Sequence, residues 1–293
     1  MSQKMTTKFK ELLKKDGAMM LPGCYDCVTA KLTEREGFSA LYITGYGLEA
    51  SVLGSPDVGL LTLTEILERA RLITNAVKIP ALVDAETGFG GPVQVIRAVK
   101  EFEKTGVVGL HIEDQVMPKK CGAMKDKDVI PRAEMVAKIK AAVDARTDSD
   151  FIIIARTDSD FISIEEVIER CNLYLEAGAD LVWPVTASFR SGATNEAHKR
   201  LAREIKGPLV GLRMLDFASM TVKEAGAAGY KIILYPNEAL WASTEAVTNV
   251  LRELKAKETA KDYFKRSMAS VRDEFTEFIG LPGIKEIEKK YAA

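Results

Sequence analysis

Two short acidic stretches carry the residue types most capable of chemistry in this sequence: Val83-Asp84-Ala85-Glu86-Thr87-Gly88-Phe89-Gly90-Gly91 and His111-Ile112-Glu113-Asp114. Residues 84 and 86 point to the same side if they end a strand, because side chains alternate along it. Any one such acid has an ordinary reading, solvated at a strand end or capping the next helix. A set converging on one mouth repels itself unless a cation sits among it. Oxygen donors without a partnering histidine suit Mg²⁺ or Mn²⁺ rather than Zn²⁺. Mg²⁺ is therefore the expected cofactor, with Mn²⁺ as its substitute.

Next to these acids lies a segment from Gln115 to Pro131, 17 residues long, where a connection of two to six is usual. Long loops beside such sites are commonly lids. This one holds Lys119, Lys120, Cys121, Gly122, Lys125 and Lys127. Neighbouring ammonium groups lower a thiol pKa and favour a reactive cysteine, and Gly122 lets the loop bend. The bland alternative is a solvated charge run with an incidental thiol. An exposed free cysteine is otherwise a liability, which favours function. Cys24 and Cys27 form C-x-x-C without other redox signals and read as buried or mouth-lining thiols, while Cys171 belongs to a helix's apolar stripe. His111 inside a strand and His198 in a charged helix lack metal-ligand spacing and read as structural.

The elements that must position these groups alternate. Eight β-type runs, at 18–23, 40–45, 80–86, 109–114, 151–158, 179–185, 208–213 and 230–236, are each followed by helical periodicity, the mark of a parallel sheet with crossover helices. Eight is the barrel number, and runs apolar throughout, such as Phe151-Ile152-Ile153-Ile154-Ala155, suit strands covered on both faces. The fold class expected is α/β, a (β/α)8 TIM-type barrel with extra C-terminal helices. Catalytic groups then sit at the C-terminal strand ends, where both acidic stretches fall. Ile164, Val167, Ile168, Cys171 and Leu175 make one helical stripe, and Thr62 with Glu65 has capping-box spacing for a helix starting near residue 63. Glycines at 106, 178 and 229 follow helical patterns, where caps before the next strand are needed.

No linker interrupts the series, so residues 1–293 read as one domain. Helical patterns at 238–258, 260–279 and after Pro282 exceed what a barrel needs, and 257–293 are expected to pack on a neighbouring subunit. Ala-Arg-Thr-Asp-Ser-Asp-Phe occurs at 145–151 and again at 155–161; the spacing is too short for a solenoid, and the repeat reads as coincidence.

Composition narrows the partners. With 41 Lys and Arg against 42 Asp and Glu, 47% apolar and 28% charged residues, the chain is an ordinary globular one with no basic footprint for nucleic acid and no membrane anchor. Small solutes are the expected partners. The absence of a spanning run or an apolar leader points to the cytoplasm, and four cysteines in a chain this long to free thiols.

The segments Asp84-Ala-Glu-Thr-Gly-Phe-Gly-Gly, Gly109-Leu-His-Ile-Glu-Asp-Gln, Pro118-Lys-Lys-Cys-Gly and Ile154-Ala-Arg-Thr-Asp resemble the isocitrate lyase/phosphoenolpyruvate mutase superfamily over nearly the whole chain. The size and the Lys-Lys-Cys-Gly loop are similar to those of its small lyases, of the 2-methylisocitrate lyase, 2,3-dimethylmalate lyase and oxaloacetate hydrolase type. The resemblance implies a Mg²⁺-dependent lyase that splits a substituted malate-type 2-hydroxy acid into pyruvate or a related keto acid and a carboxylate. It also implies a mobile gate loop and a homotetramer that swaps C-terminal helices. By the same resemblance, Tyr42, Thr44, Gly45 and Tyr46 hold the keto-acid carboxylate, and Asp57, Asp84, Glu86 and Glu113 form the Mg²⁺ shell, mostly through water. Cys121 is the acid/base, Arg156 grips substrate, and Lys119 and Lys120 stabilise the enolate-like product. The family usually has His after Lys-Lys-Cys-Gly, Asp at 86, Glu at 185 and Asn near 212; here stand Ala123, Glu86, Val185 and Leu212, with Arg213 the polar residue there. These differences favour a smaller or more apolar acid such as dimethylmalate. An oxaloacetate- or phosphonopyruvate-type hydrolase, decarboxylase or mutase is the alternative reading, as is a degenerate keto-acid-binding member.

Overall fold

The computed structural model describes residues 3–186, 194–212, 221–267 and 271–292. Eight strands pair in parallel and close in sequence order: β1 (Met19–Cys24), β2 (Leu41–Ile43), β3 (Ala81–Asp84), β4 (Gly109–Glu113), β5 (Ile152–Thr157), β6 (Leu181–Pro184), β7 (Leu209–Leu212) and β8 (Tyr230–Tyr235). The expected (β/α)8 barrel is therefore present. Seven of the expected runs contain their strand and the first is displaced by one residue. Polar residues at the run ends, such as Glu86 and Asp158, leave the ladder for the mouth.

Around the barrel run α2 (Cys27–Arg35), α3 (Gly45–Leu53), α4 (Leu63–Ala76), α5 (Pro92–Lys104), α6 (Arg132–Ala145), α7 (Ile164–Glu176), α8 (Thr194–Glu204) and α9 (Val222–Ala228), after an N-terminal α1 (Met5–Lys14). α4 starts at the capping box: Glu65 N–H donates to Thr62 Oγ1 at 3.4 Å and Thr62 N–H to the Glu65 carboxylate at 2.8 Å. Val167, Ile168 and Cys171 of α7 are buried, as their stripe requires. Gly229 ends α9 at φ 111°, a conformation that favours glycine.

The sequence does not announce α1. Its Phe9 is wholly buried among barrel-interior side chains that include Leu21, Leu82, Ile152 and Val210. Thr6 and Thr7 donate to Asp148 and Asp150 at 2.9 and 2.7 Å. These two acids belong to the first copy of the heptapeptide repeat, just before β5. They pin a helix where β5 begins, while the second copy supplies Arg156, Asp158 and Asp160 where β5 ends.

The chain divides into two compact units, Met1–Ala239 and Leu240–Ala293. The second consists of helices: α10 (Glu238–Lys257) enters it, followed by α11 (Lys261–Ser267), α12 (Val271–Phe278) and α13 (Leu281–Tyr291). The single helical pattern expected over 260–279 is thus two helices, with 268–270 outside the described residues. Pro282 sits in the first turn of α13, where its missing N–H breaks no helical bond. No described residue of α10 or α13 is buried, and Leu251, Phe264, Ile284 and Ile287 are each more than half exposed. Among the described residues no helix is long and apolar enough to cross a membrane.

Candidate active site

The strand ends of β2, β3, β4 and β5 bring the acids together. Buried Tyr42 donates its hydroxyl to Asp84 Oδ2 at 3.1 Å and contacts His111 Nε2 at 2.8 Å. Thr44 caps α3 by accepting from Gly47 N–H at 3.4 Å. The Gly45 N–H donates to Asp84 Oδ2 at 3.3 Å. A Cβ at residue 45 would lie 2.6 Å from that oxygen and 2.7 Å from Glu86 Oε1, so only glycine admits both carboxylates. Asp84 Oδ1 accepts from the backbone N–H of Glu86 at 2.9 Å. Glu86 itself has φ 53°, a conformation costly for a residue with a side chain and one that clusters at functional sites. Lys138 of α6 reaches under this turn to the Thr87 carbonyl.

Asp57 arrives on the loop after α3, and Glu49 holds that loop. Glu49 is wholly buried and accepts from the N–H groups of Val58 at 2.7 Å, Leu61 at 3.2 Å and Leu60. Lys119, 2% exposed, pairs with Asp57 and, at 2.6 Å, with Glu86. Arg156 pairs with Glu113 at 2.8 Å, takes Asp158 bidentately at 2.8 and 3.1 Å, and lies 4.6 Å over the Trp183 ring. Lys127 joins Asp158 at 3.2 Å and Asp160 at 2.8 Å.

Six buried carboxylates, Asp57, Asp84, Glu86, Glu113, Asp158 and Asp160, thus meet three cations, Lys119, Lys127 and Arg156. The excess negative charge appears in the protonation of the cluster. Burial raises Glu86 well above the ordinary carboxylate range and Glu113 to about 8, in the latter case against the pull of Arg156. Burial raises Asp57 as well, against Lys119. Asp84 goes the other way: although buried, it is held down to about 2 by His111, Lys119 and Arg156. Because burial depresses His111 to about 4, it is neutral at pH 7, and there the two permanent cations do this work.

Both carboxylate oxygens of Glu86 and of Glu113 are buried without an aligned hydrogen-bond donor, ion pairs notwithstanding. Such orphaned hard oxygens beside Asp84 fit a divalent cation of the Mg²⁺ class. Among the described residues no group of three or more His, Cys, Asp or Glu side chains is placed to hold a metal directly, so water would complete the shell. Asp114, from the same acidic stretch, is committed elsewhere: it accepts from Thr157 and Tyr174 hydroxyls at 2.7 Å each, Arg170 at 3.0 Å and Asp158 N–H at 2.9 Å.

The long loop lies over this cluster. Cys121 N–H donates to the Asp57 carbonyl at 3.0 Å, Lys127 donates to the Gly122 carbonyl at 2.9 Å, and the Gln115 side chain brackets the Lys120 backbone at 2.8 and 2.9 Å. Beneath it is a cavity lined by Tyr42, Thr44, Tyr46, Asp57, Asp84, Cys121, Gly122, Ala123, Arg156, Trp183, Pro184, Val185, Thr186, Leu212, Pro236 and Asn237.

Several expectations change here. The Cys121 thiol is pushed up, by burial and then by the Asp57 charge, and not down by neighbouring lysines; the nearest ammonium, Lys119, is spent on Asp57 and Glu86. Lys120 turns outward to the Asp126 carbonyl and does not line the cavity. Gly122 does not bend the loop through a left-handed residue, a conformation taken by Asp126 at φ 59°. It is glycine because a Cβ there would lie 2.7 Å from Arg156 Nη2. His111 belongs to the site through Tyr42, whereas His198 meets the Tyr230 hydroxyl at 2.7 Å, away from the acids. Arg213 lies outside the described residues. The sequence did not single out Glu49, Asp160, Trp183 or Asn237, and it named Lys127 and Asp158 only as members of the loop and of a family segment; the one available signal was Asp158 and Asp160 following Arg156 at a strand end.

Comparison with known proteins agrees with this geometry. The phosphoenolpyruvate phosphomutase family pattern matches residues 9–255. The chain is 41% identical over 288 residues to 2,3-dimethylmalate lyase of Eubacterium barkeri, covering 97% of each. It is 40% identical over 286 residues to 2-methylisocitrate lyase of Aeropyrum pernix, covering 97% of this chain and 89% of the relative. The crystal structure of a phosphonopyruvate hydrolase complex with oxalate and Mg²⁺ superposes with a TM-score of 0.88 at 26% identity, covering 99% of this chain and 100% of the other. A pattern spanning most of the chain, relatives of this identity along almost its full length and a shared barrel show that the chain belongs to the phosphoenolpyruvate mutase/isocitrate lyase superfamily.

Proposed function

We propose that this chain is a lyase that cleaves the C2–C3 bond of a substituted malate-type 2-hydroxy acid, of the 2,3-dimethylmalate or 2-methylisocitrate class, to pyruvate or a related keto acid plus a carboxylate. The observation that carries the reading is Cys121: its thiol is kept protonated and lines one cavity with Asp84 and Arg156. A keto-acid hydrolase also leaves a carbon to protonate but needs an activated water in addition; with the proton donor in place, the 40–41% identity to two C–C lyases favours the lyase reading.

Asp84, Glu86, Glu113 and Asp57 are the residues that would hold Mg²⁺, or Mn²⁺ in its place. When bound, such a cation acidifies the C2 hydroxyl and offsets the charge left by its proton. The N-terminus of α3, with Thr44, Gly45 and Tyr46 at its first turn, presents its positive end to the substrate carboxylate. Tyr42 stays a neutral phenol, since burial and then Asp84 push it well above its ordinary range, and it holds Asp84 in place. Arg156 keeps its charge and faces the second carboxylate. As the C2 hydroxyl passes its proton to a carboxylate lining the cavity, Asp57 or Asp84, the C2–C3 pair moves to C3, and Cys121 delivers the thiol proton to that carbon. The proton held by the carboxylate then returns to the thiolate, so the cycle is balanced. Lys119, among the acids, limits the repulsion that an anionic product adds.

The exposed apolar residues of α10 and α13 support a homotetramer in which residues 257–293 pack on a second copy, and the composition supports a cytoplasmic location. The test is keto-acid release from a panel of substituted malates, oxaloacetate and phosphonopyruvate, with and without Mg²⁺. Release from a malate, lost with chelator, is the expected result; turnover of oxaloacetate or phosphonopyruvate alone would replace the reading.

A further inference from the structure

One polar group in the cavity has no part in the chemistry above. Asn237 lies two residues beyond β8, lines the cavity with Trp183, Val185 and Leu212, and is 3% exposed. Its Oδ1 is buried and accepts no hydrogen bond among the described residues. An ordinary role is at hand, because α10 begins at the next residue and asparagine is a favoured helix N-cap. A capping asparagine spends Oδ1 on an N–H of the first turn, and this one does not. Its own backbone N–H is taken by the Glu238 carboxylate at 3.1 Å. A buried acceptor left unmade is costly, and such groups persist where a ligand satisfies them.

In the closed strand order β8 stands across the mouth from β4, which carries Glu113, with β7 beside it. The acids and Arg156 therefore bind the C2 hydroxyl and the second carboxylate from the far wall. Asn237 faces what remains of the substrate, beside apolar Val185 and Leu212. We infer that Asn237 is a specificity-determining residue whose Oδ1 accepts a hydrogen bond from a hydroxyl on the C3 substituent of the substrate. The inference rests on the lyase reading and names its substrate class: malates with a hydroxyalkyl group at C3. An acceptor asks for a donor. A third carboxylate would set lone pair against lone pair at Oδ1, and a plain methyl would leave the amide unpaired. Sites built to hydrogen-bond a substrate hydroxyl discriminate strongly against analogues that lack it.

The experiment measures kcat/KM for keto-acid release from malates carrying 3-methyl, 3-hydroxymethyl or 3-carboxymethyl groups, with wild type, Asn237→Leu and Asn237→Ala. Wild type should favour the hydroxymethyl over the methyl compound by at least about tenfold, as for one hydrogen bond to a buried amide. In Asn237→Leu that ratio should collapse to near unity while the Tm is kept or raised, because leucine replaces an unpaired polar group of similar size. A structural asparagine would instead lower Tm and leave the ratio alone. Asn237→Ala must show the same collapse, so the outcome does not depend on how leucine packs. A wild-type ratio within twofold of unity, or preference for the carboxymethyl compound, overturns the assignment while leaving the lyase reading standing. Failure to cleave any of the three overturns both.

Discussion

The Lys119 ammonium stands 2.6 Å from the Glu86 carboxylate, and both side chains are almost free of solvent. One comes from the long loop, the other from the turn after β3. The loop therefore carries its own cation into the acid cluster, onto oxygens that also suit Mg²⁺.

Lys119→Met tests this sharing of charge. Removing one member of a buried pair typically costs about 3–5 kcal/mol because the other charge is left uncompensated. The variant should melt lower than wild type without metal. Mg²⁺ should then raise its Tm by more than it raises that of wild type, since no ammonium competes for Asp57 and Glu86. Equal Mg²⁺-induced shifts in thermal melts would show that lysine and metal use separate oxygens.

Cys121 gives a pH-dependent prediction. Its thiol pKa lies above the ordinary 9.0 through burial, so the proton-bearing form dominates at neutral pH and is lost only as pH rises through that higher value. The kcat profile should be flat around neutrality and fall on a basic limb that begins above 9. Cys121→Ser, whose hydroxyl is a far weaker acid, should lose at least about 10²-fold in kcat, close to 3 kcal/mol in barrier, with KM nearly kept. Retention of kcat within twofold would move the proton transfer to another group, Tyr42 being the first to examine.

Gly122→Ala separates the gate from the fold. The added methyl would meet Arg156 Nη2 at 2.7 Å and Asp158 Oδ1 at 3.1 Å, so the loop must lift or the guanidinium must move. Neither change alters the strand pairing of the barrel. Tm should stay within a degree or two, while kcat/KM drops at least about tenfold and proteolysis within 115–131 quickens. An unaltered kcat/KM would mean that the loop already has slack over Arg156.

What the sequence made legible follows from how each feature is encoded. Strands such as Ile152–Thr157 are local: a run apolar on both faces has one home, inside a covered parallel sheet. Asp84, Glu86 and Glu113 were readable because a strand end is also a local feature and the barrel brings such ends together. Pairing was not readable. That Lys119 is spent on acids while Lys120 faces outward depends on which side of an irregular loop each falls, and no periodicity governs that. The thiol pKa was misjudged for the same reason, since burial of a loop residue is a tertiary property. The two heptapeptide copies show it most plainly: Asp148 and Asp150 anchor α1 where β5 begins, Asp158 and Asp160 hold Lys127 where it ends, and only the strand between them distinguishes identical residues.

Asp114 offers a last prediction, on how the site is held and not on what it binds. Its Oδ2 alone receives Thr157, Arg170 and Tyr174, and its Oδ1 receives the Asp158 N–H. Every partner is a donor, so Asp114→Asn, which puts an NH₂ where one oxygen was, must set donor against donor on one side whichever way the amide turns. It also removes the buried one of Arg170's two carboxylate partners, leaving Glu166 at 2.7 Å. A loss of about 3–5 kcal/mol is expected, read as a lower urea midpoint at unchanged m-value. Because Asp158 orients Arg156, KM for the substrate should rise as well, even though residue 114 does not line the cavity. Arg170→Met should reproduce much of the stability loss. Normal stability in Asp114→Asn would show that the four donors find other acceptors and that the strand-end network does not hold Arg156 in place.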